Sequence, residues 1–184
     1  MNLTERAFII IDGSNFYHRL KELRLSSLLN FNYAAFSKFL LGQKRKLVKQ
    51  CYYIGAIREE HNNPKSKTLM IHQQKLISHL KQQAWEISLG HMLKTNGYQE
   101  KGVDVQIAVD VLIGAYENLY DTLILVSSDT DLIPALKKSR DKKKKVEYIG
   151  FSHKPSYALI SHSDIRRLLI KEEVARFIKF NNHL

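Results

Sequence analysis

The sequence predicts an α/β fold, a three-layer α/β/α sandwich around a central, mainly parallel sheet. Three observations predict it. Ala7 to Ile11 and Leu123 to Val126 are short, wholly apolar runs, the pattern of strands covered on both faces. Each run ends abruptly on an acidic turn, Asp12-Gly13-Ser14-Asn15 and Ser127-Ser128-Asp129-Thr130-Asp131. Strand-like and helix-like segments also alternate along the chain, which implies parallel strands joined by helical crossovers.

The elements follow in order. After the first strand, Phe16 to Leu29 carries apolar positions at roughly helical spacing, and Ala34 to Leu41 suggests a second helical piece before a basic Lys44-Arg45-Lys46 turn. Gln50 to Ile57 is rich in aromatic and β-branched residues and reads as a central strand. Ser66 to Gln83 has helical periodicity, and Trp85 to Leu89 alternates like a strand exposed on one side. Val103 to Leu119 is an amphipathic helix whose inner stripe is Val103, Ile107, Val111 and Gly114-Ala115. Beyond the Leu123 strand come a helix over Leu132 to Arg140, a strand over Lys145 to Phe151, and a terminal helix over Glu172 to Phe180.

With 184 residues, the chain has the length of a single domain with one good core, so residues 1–184 are taken as one unit. Only 3 Pro and 8 Gly accompany 44% hydrophobic residues, which excludes a largely disordered chain. The net charge of +11 attracts a polyanion, either a nucleic acid or an acidic membrane face, although a basic surface also serves solubility. The only cysteine, Cys51, lies in a strand-like run and reads as a core thiol. The start of the chain lacks a signal peptide's layout, and no stretch approaches the ~20 apolar residues that span a bilayer, so a cytoplasmic protein with no membrane partner is expected.

Ligands of open parallel sheets bind at the carboxyl ends of strands where the strand order reverses. Asp12, Asp129 and Asp131 stand at such ends, and Asp104 opens the helix that leads into the Leu123 strand. Two carboxylates about 4 Å apart repel by ~1 kcal/mol in water and ~4 kcal/mol at an effective dielectric near 20. A hard divalent cation compensates such crowding, acidifies water and offsets charge on a phosphate in flight, so phosphodiester hydrolysis is the natural reaction. Each acid alone has a plainer use. Asp12 and Asp129 fit helix caps, Asp104 fits first-turn charge, and Asp110 lies on another helix face where a structural hydrogen bond suits it. The joint pattern favours the metal. Lys101 could meet a phosphate, Lys44 to Lys46 and Lys142 to Lys145 could track a nucleic-acid backbone, and Tyr17, His18 and Tyr98 could stack on bases, each against the plainer role of solvated or core residue.

Four stretches, Phe8 to Phe16 (FIIIDGSNF), Lys101 to Leu112 (KGVDVQIAVDVL), Leu123 to Leu136 (LILVSSDTDLIPAL) and Val146 to Phe151 (VEYIGF), resemble in order the NYN domain family, the LabA-like or DUF88 branch of the PIN-like nucleases. The resemblance spans roughly Ala7 to Leu169. It implies a PIN-like α/β/α fold and Mg²⁺- or Mn²⁺-dependent cleavage of RNA. Carried onto matching positions, it makes Asp12, Asp104, Asp129 and Asp131 the acidic metal site, Asn15 a polar support for metal or phosphate, Asp110 a second-rank acid and Asp164 a structural residue. Ser128 and Thr130 stand where the family often has glycine, and their bulk narrows the approach of a phosphate.

Other readings fit less well. A haloacid-dehalogenase-type phosphatase needs an acid where Ser14 stands, an Asp-x-Ser-x-Ser adhesion module fails at Phe16, and a Toprim nuclease should have Glu in place of Asp12. The main competitor is a PIN-like regulator that binds RNA or protein with feeble cleavage or none. DNA as substrate and a homo-oligomer both stay open.

Overall fold

The computed structural model describes residues 4–25, 28–57, 64–90, 92–95, 97–100 and 102–178, with the side chains of 92–100 left aside. Eight strands and seven α-helices are described: β1 (Glu5–Asp12), α1 (Gly13–Glu22), α2 (Tyr33–Leu41), β2 (Arg45–Gly55), α3 (Pro64–Gln82), β3 (Glu86–Gly90), β4 (Met92–Thr95), β5 (Gly97–Glu100), α4 (Val103–Tyr116), β6 (Thr122–Val126), α5 (Ile133–Asp141), β7 (Lys145–Phe151), α6 (Tyr157–Ser161), β8 (Ile165–Leu169) and α7 (Lys171–Ala175). Six strands form one sheet in the order β3-β2-β1-β6-β7-β8, and every neighbouring pair in it is parallel. β4 and β5 make a separate antiparallel hairpin.

Alternation along the strands sorts the core into two layers. Ala7, Ile9 and Ile11 of β1 and Ile124 and Val126 of β6 face α1, α2 and α3 through Phe16, Phe36 and Leu76. Phe8, Ile10, Leu123 and Leu125 point the other way, onto Val103, Ile107 and Val111 of α4 and Leu136 of α5. Both β1 and β6 are therefore apolar on both faces because both faces are covered. The expected inner stripe of α4 is buried as predicted.

Differences from the sequence expectation have identifiable causes. Helix α1 ends at Glu22 rather than Leu29, and Arg24 then turns the chain with φ 60. Helix α4 stops at Tyr116, and α7 closes within its first turns at Ala175. Arg45 and Lys46, expected in a turn, begin β2, where they pair with Glu5 and Arg6 of β1. Strand β8, not anticipated, is an edge strand with two arginines and only Leu169 buried, so it carries no alternation to read.

The order reverses between β1 and β6, with β2 following on one side and β7 on the other. In the register of the two strands, Ile11 lies opposite Val126, so the turns after them leave the sheet side by side.

A three-carboxylate crevice

Asp12 is the last residue of β1 and the N-cap of α1. Its Oδ1 accepts from the Asn15 backbone N–H at 3.0 Å, and its Oδ2 accepts from the Ser127 hydroxyl at 2.8 Å. The same Ser127 oxygen accepts from the Asp129 N–H at 3.0 Å. Ser127, only 3% exposed, thus ties the end of β1 to the turn after β6. Asp129 caps a short 3₁₀ turn over residues 130–132, its Oδ1 accepting from the Asp131 N–H at 2.9 Å.

The third acid arrives from α4. Gly102 precedes this helix in the left-handed region, with φ 93, a conformation that costs glycine little, and its carbonyl accepts from Gln106 at 2.8 Å. The turn sets Asp104 in the first helical turn, where a carboxylate is favoured by the helix dipole. One carboxylate oxygen from each of Asp12, Asp104 and Asp129 lies within 4.8 Å of the others, the one such group among the described residues. They line a crevice of about 320 Å³ together with Ser14, Asn15, His18, Gly102 and Val103.

At the outer limit of 4.8 Å a carboxylate pair repels by about 3.5 kcal/mol at an effective dielectric near 20, and more at closer approach. The amino ends of α1 and α4 and the Ser127 hydroxyl offset part of that charge. The donors are all hard oxygens, a set that suits a divalent cation of the magnesium and manganese kind better than a thiolate-seeking metal. The residues present therefore fit a divalent metal centre.

The structure gathers three of the four acids that the sequence singled out. Asp131 is exposed and stands outside the group, contributing its backbone N–H to hold Asp129. Asn15 is in the crevice wall. Ser128 is half-buried next to the linking Ser127 and does not line the crevice. Asp110 is elsewhere, accepting from Tyr53 Oη at 2.6 Å and Gln106 Nε2 at 3.0 Å, as the helix-face argument anticipates. Asp164 joins elements, accepting from the Val146 N–H and from Arg140. Lys101 and the side chain of Tyr98 lie outside the described residues. His18 is exposed in the crevice wall, whereas Tyr17 lines a neighbouring, more apolar hollow that shares Ser14 with it. Ser127 is the residue that sequence reasoning passed over. Its signal is its place, the first polar residue after an all-apolar strand.

The fold is of the parallel α/β class whose ligands bind at the carboxyl edge of the sheet where the strand order reverses, and here both strands at that edge end in acids. The chain belongs to the NYN domain family, whose model matches residues 6–168. That family is part of the PIN-like superfamily, and it places the protein among nucleases in general terms, with nucleic acid as the substrate class. A search of curated proteins finds no match for the chain. Among the described residues, no helix is long and apolar enough to cross a membrane.

Proposed function

We propose that the chain is a metal-dependent ribonuclease of the LabA-like (DUF88) kind, cytoplasmic, with Asp12, Asp104 and Asp129 holding Mg²⁺ or Mn²⁺. The observation that carries this reading is the approach of three carboxylates, distant in sequence, to within 4.8 Å in one crevice. Such a cation supplies positive charge to a phosphoryl oxygen and lowers the pKa of a bound water.

The protein's own groups do the positioning. Ser127 and the Asn15 N–H fix both oxygens of Asp12, so the carboxylate loses little freedom on binding metal. The Asp131 N–H does the same for one oxygen of Asp129. Asn15, half-buried in the crevice wall, offers an amide to a phosphate oxygen or a water. The amino ends of α1 and α4 favour an anion at this edge of the sheet. The basic surface, +11 overall, draws RNA toward a crevice that is itself acidic.

Cleavage of labelled single-stranded RNA, hairpin RNA and single-stranded DNA tests the reading, with and without Mg²⁺ or Mn²⁺, for the wild type and Asp129→Asn. Metal-dependent cleavage of RNA, lowered by at least ~10²-fold in the variant, is expected. Equal cleavage by both would expose a contaminant, tight RNA binding without cleavage would favour the regulator, and preference for DNA would correct the substrate.

A further inference from the structure

A second, larger cavity lies away from the acidic crevice. It is an open groove of about 830 Å³ walled by six cations, Lys137, Lys138, Arg140, Lys143, Lys144 and Lys145, with Asp141 and Asp164 as the only acids among its described lining residues. It takes in most of the lysine run that closes α5 and opens β7. We infer that this groove is a second nucleic-acid contact, which holds the phosphate backbone of a strand whose cleaved position sits in the carboxylate crevice; the choice of nucleic acid as occupant rests on the nuclease reading.

Three observations carry it. First, the charge is not cancelled locally. Lys138 pairs with Asp141 at 3.2 Å, Arg140 with Asp164 at 2.8 Å and Lys145 with Glu5 at 3.4 Å, while no ion pair engages Lys137 or Lys143 among the described residues. The Lys138 and Asp141 side chains are about two-thirds exposed, so this pair is weak and readily exchanged for a phosphate. Second, Pro134, Lys137, Lys138 and Asp141 fall at helical spacing on one side of α5, opposite the buried Ala135, Leu136 and Ser139. They form a continuous outward stripe. Because α5 begins just after the Asp129 turn, the stripe starts near the crevice and runs about 10 Å along the helix. An extended strand leaving the crevice along α5 therefore passes Pro134 and then reaches Lys137 and Lys138, with the Lys143 to Lys145 cations beyond the end of the helix.

Third, the chain keeps a lysine where the backbone disfavours one. Lys143 follows the end of α5 with φ 61, the position where glycine or asparagine commonly ends a helix. Lys144 is anchored instead, bonded to the Asn118 side chain, and Lys142 lies 4.1 Å from the centre of the Tyr116 ring. The fixed members of the run thus set the loop, and Lys143 projects with Lys137 as a free charge. Point charges of this kind suit a backbone whose phosphates repeat regardless of sequence.

The test measures binding of labelled oligouridine to the full chain in a chelator over a salt series, so that cleavage is irrelevant. It compares the wild type, the double variant Lys137→Gln/Lys143→Gln, and Lys67→Gln, which removes an exposed lysine on α3 across the sheet. Melting temperatures of the three check that each is folded. The double variant should bind several-fold more weakly, with the slope of log K against log salt shallower by ~0.7 per lysine removed, while Lys67→Gln stays close to the wild type. Metal-dependent cleavage of a dinucleotide, too short to reach the groove, should be unchanged.

Equal affinity and slope for the double variant and Lys67→Gln would overturn the inference. So would a double variant that retains oligouridine but loses phosphatidylserine vesicles, which would make the groove a lipid contact. Groove-dependent binding by a wild type that cleaves nothing would defeat the ribonuclease reading and leave the groove standing.

Discussion

Ser127 shows how little of the site's economy lies in the acids themselves. One buried hydroxyl donates to Asp12 and accepts from Asp129, so it sets the spacing of two carboxylates from different strands. Ser127→Ala should lose about 2 kcal/mol of stability, because a hydrogen bond to a buried charge is lost and the Asp129 N–H loses its partner. Urea unfolding gives the stability, and the rise in melting temperature on adding Mn²⁺ should shrink in the same variant. Gly13 is equally constrained by its surroundings. A Cβ there would sit 2.3 Å from Tyr52 Cε1 and 2.7 Å from the Tyr53 carbonyl, a backbone atom with little room to yield. Gly13→Ala should therefore cost about 2 kcal/mol and displace the first turn of α1 that carries Asn15. Cys51 stands apart from this chemistry. Burial pushes its thiol up to about 11, and the side chain is 3% exposed. In the unfolded chain the thiol ionises near 8.5, so the folded state holds the proton over the window between those values. The Cys51 contribution to stability should accordingly be intact below pH 8.5 and decline as pH rises through the window. A thiol reagent at pH 8 should label Cys51 only on unfolding; rapid labelling of the native protein would contradict its core placement.

At the scale of elements, the two ends of the sheet do different work. The carboxyl ends of β1 and β6 carry the acids, while the amino ends are closed by ions. Glu147 of β7, 3% exposed at its side chain, pairs with Arg45 of β2 at 2.6 Å and Arg167 of β8 at 2.7 Å. Arg167 also donates to the Phe39 and Leu40 carbonyls at the end of α2, so the network joins three strands to a helix. Arg45→Met should cost about 2–3 kcal/mol, less than a fully buried pair because both arginines retain some solvent. Chemical denaturation measures the loss, and metal-dependent activity of the folded fraction should be unchanged, since this network lies at the opposite end of β1 from Asp12. None of this ion network was legible beforehand. Arg45 looked like a turn residue, and β8 presents only Leu169 to the core. The central elements were legible for the opposite reason. Strands β1 and β6 are buried on both faces, so their central runs, Ala7 to Ile11 and Leu123 to Val126, hold nothing but apolar residues up to the point where the chain leaves the sheet.

For the whole molecule, the strand order decides what the sequence motifs mean. Two acid-tipped strands become one site only because β1 and β6 are neighbours at the reversal of the sheet, and alternation of helices and strands predicts parallel pairing without saying which strands are adjacent. The convergence of Asp12 and Asp129 is thus an inference from strand ends, and the arrival of Asp104 depends on the left-handed turn at Gly102. That Asp131 falls outside the group of close carboxylates cannot be read from sequence, since Asp129-Thr130-Asp131 looks symmetrical until the 3₁₀ turn brings one side chain into the crevice and leaves the other exposed. That asymmetry makes metal binding the most direct probe of the account. Calorimetric titration with Mn²⁺ should find one site in the wild type, weakened more than about tenfold by Asp12→Asn, Asp104→Asn or Asp129→Asn, and little altered by Asp131→Asn or Asp110→Asn. Undiminished Mn²⁺ binding by Asp104→Asn, or equal losses in Asp131→Asn and Asp129→Asn, would contradict it.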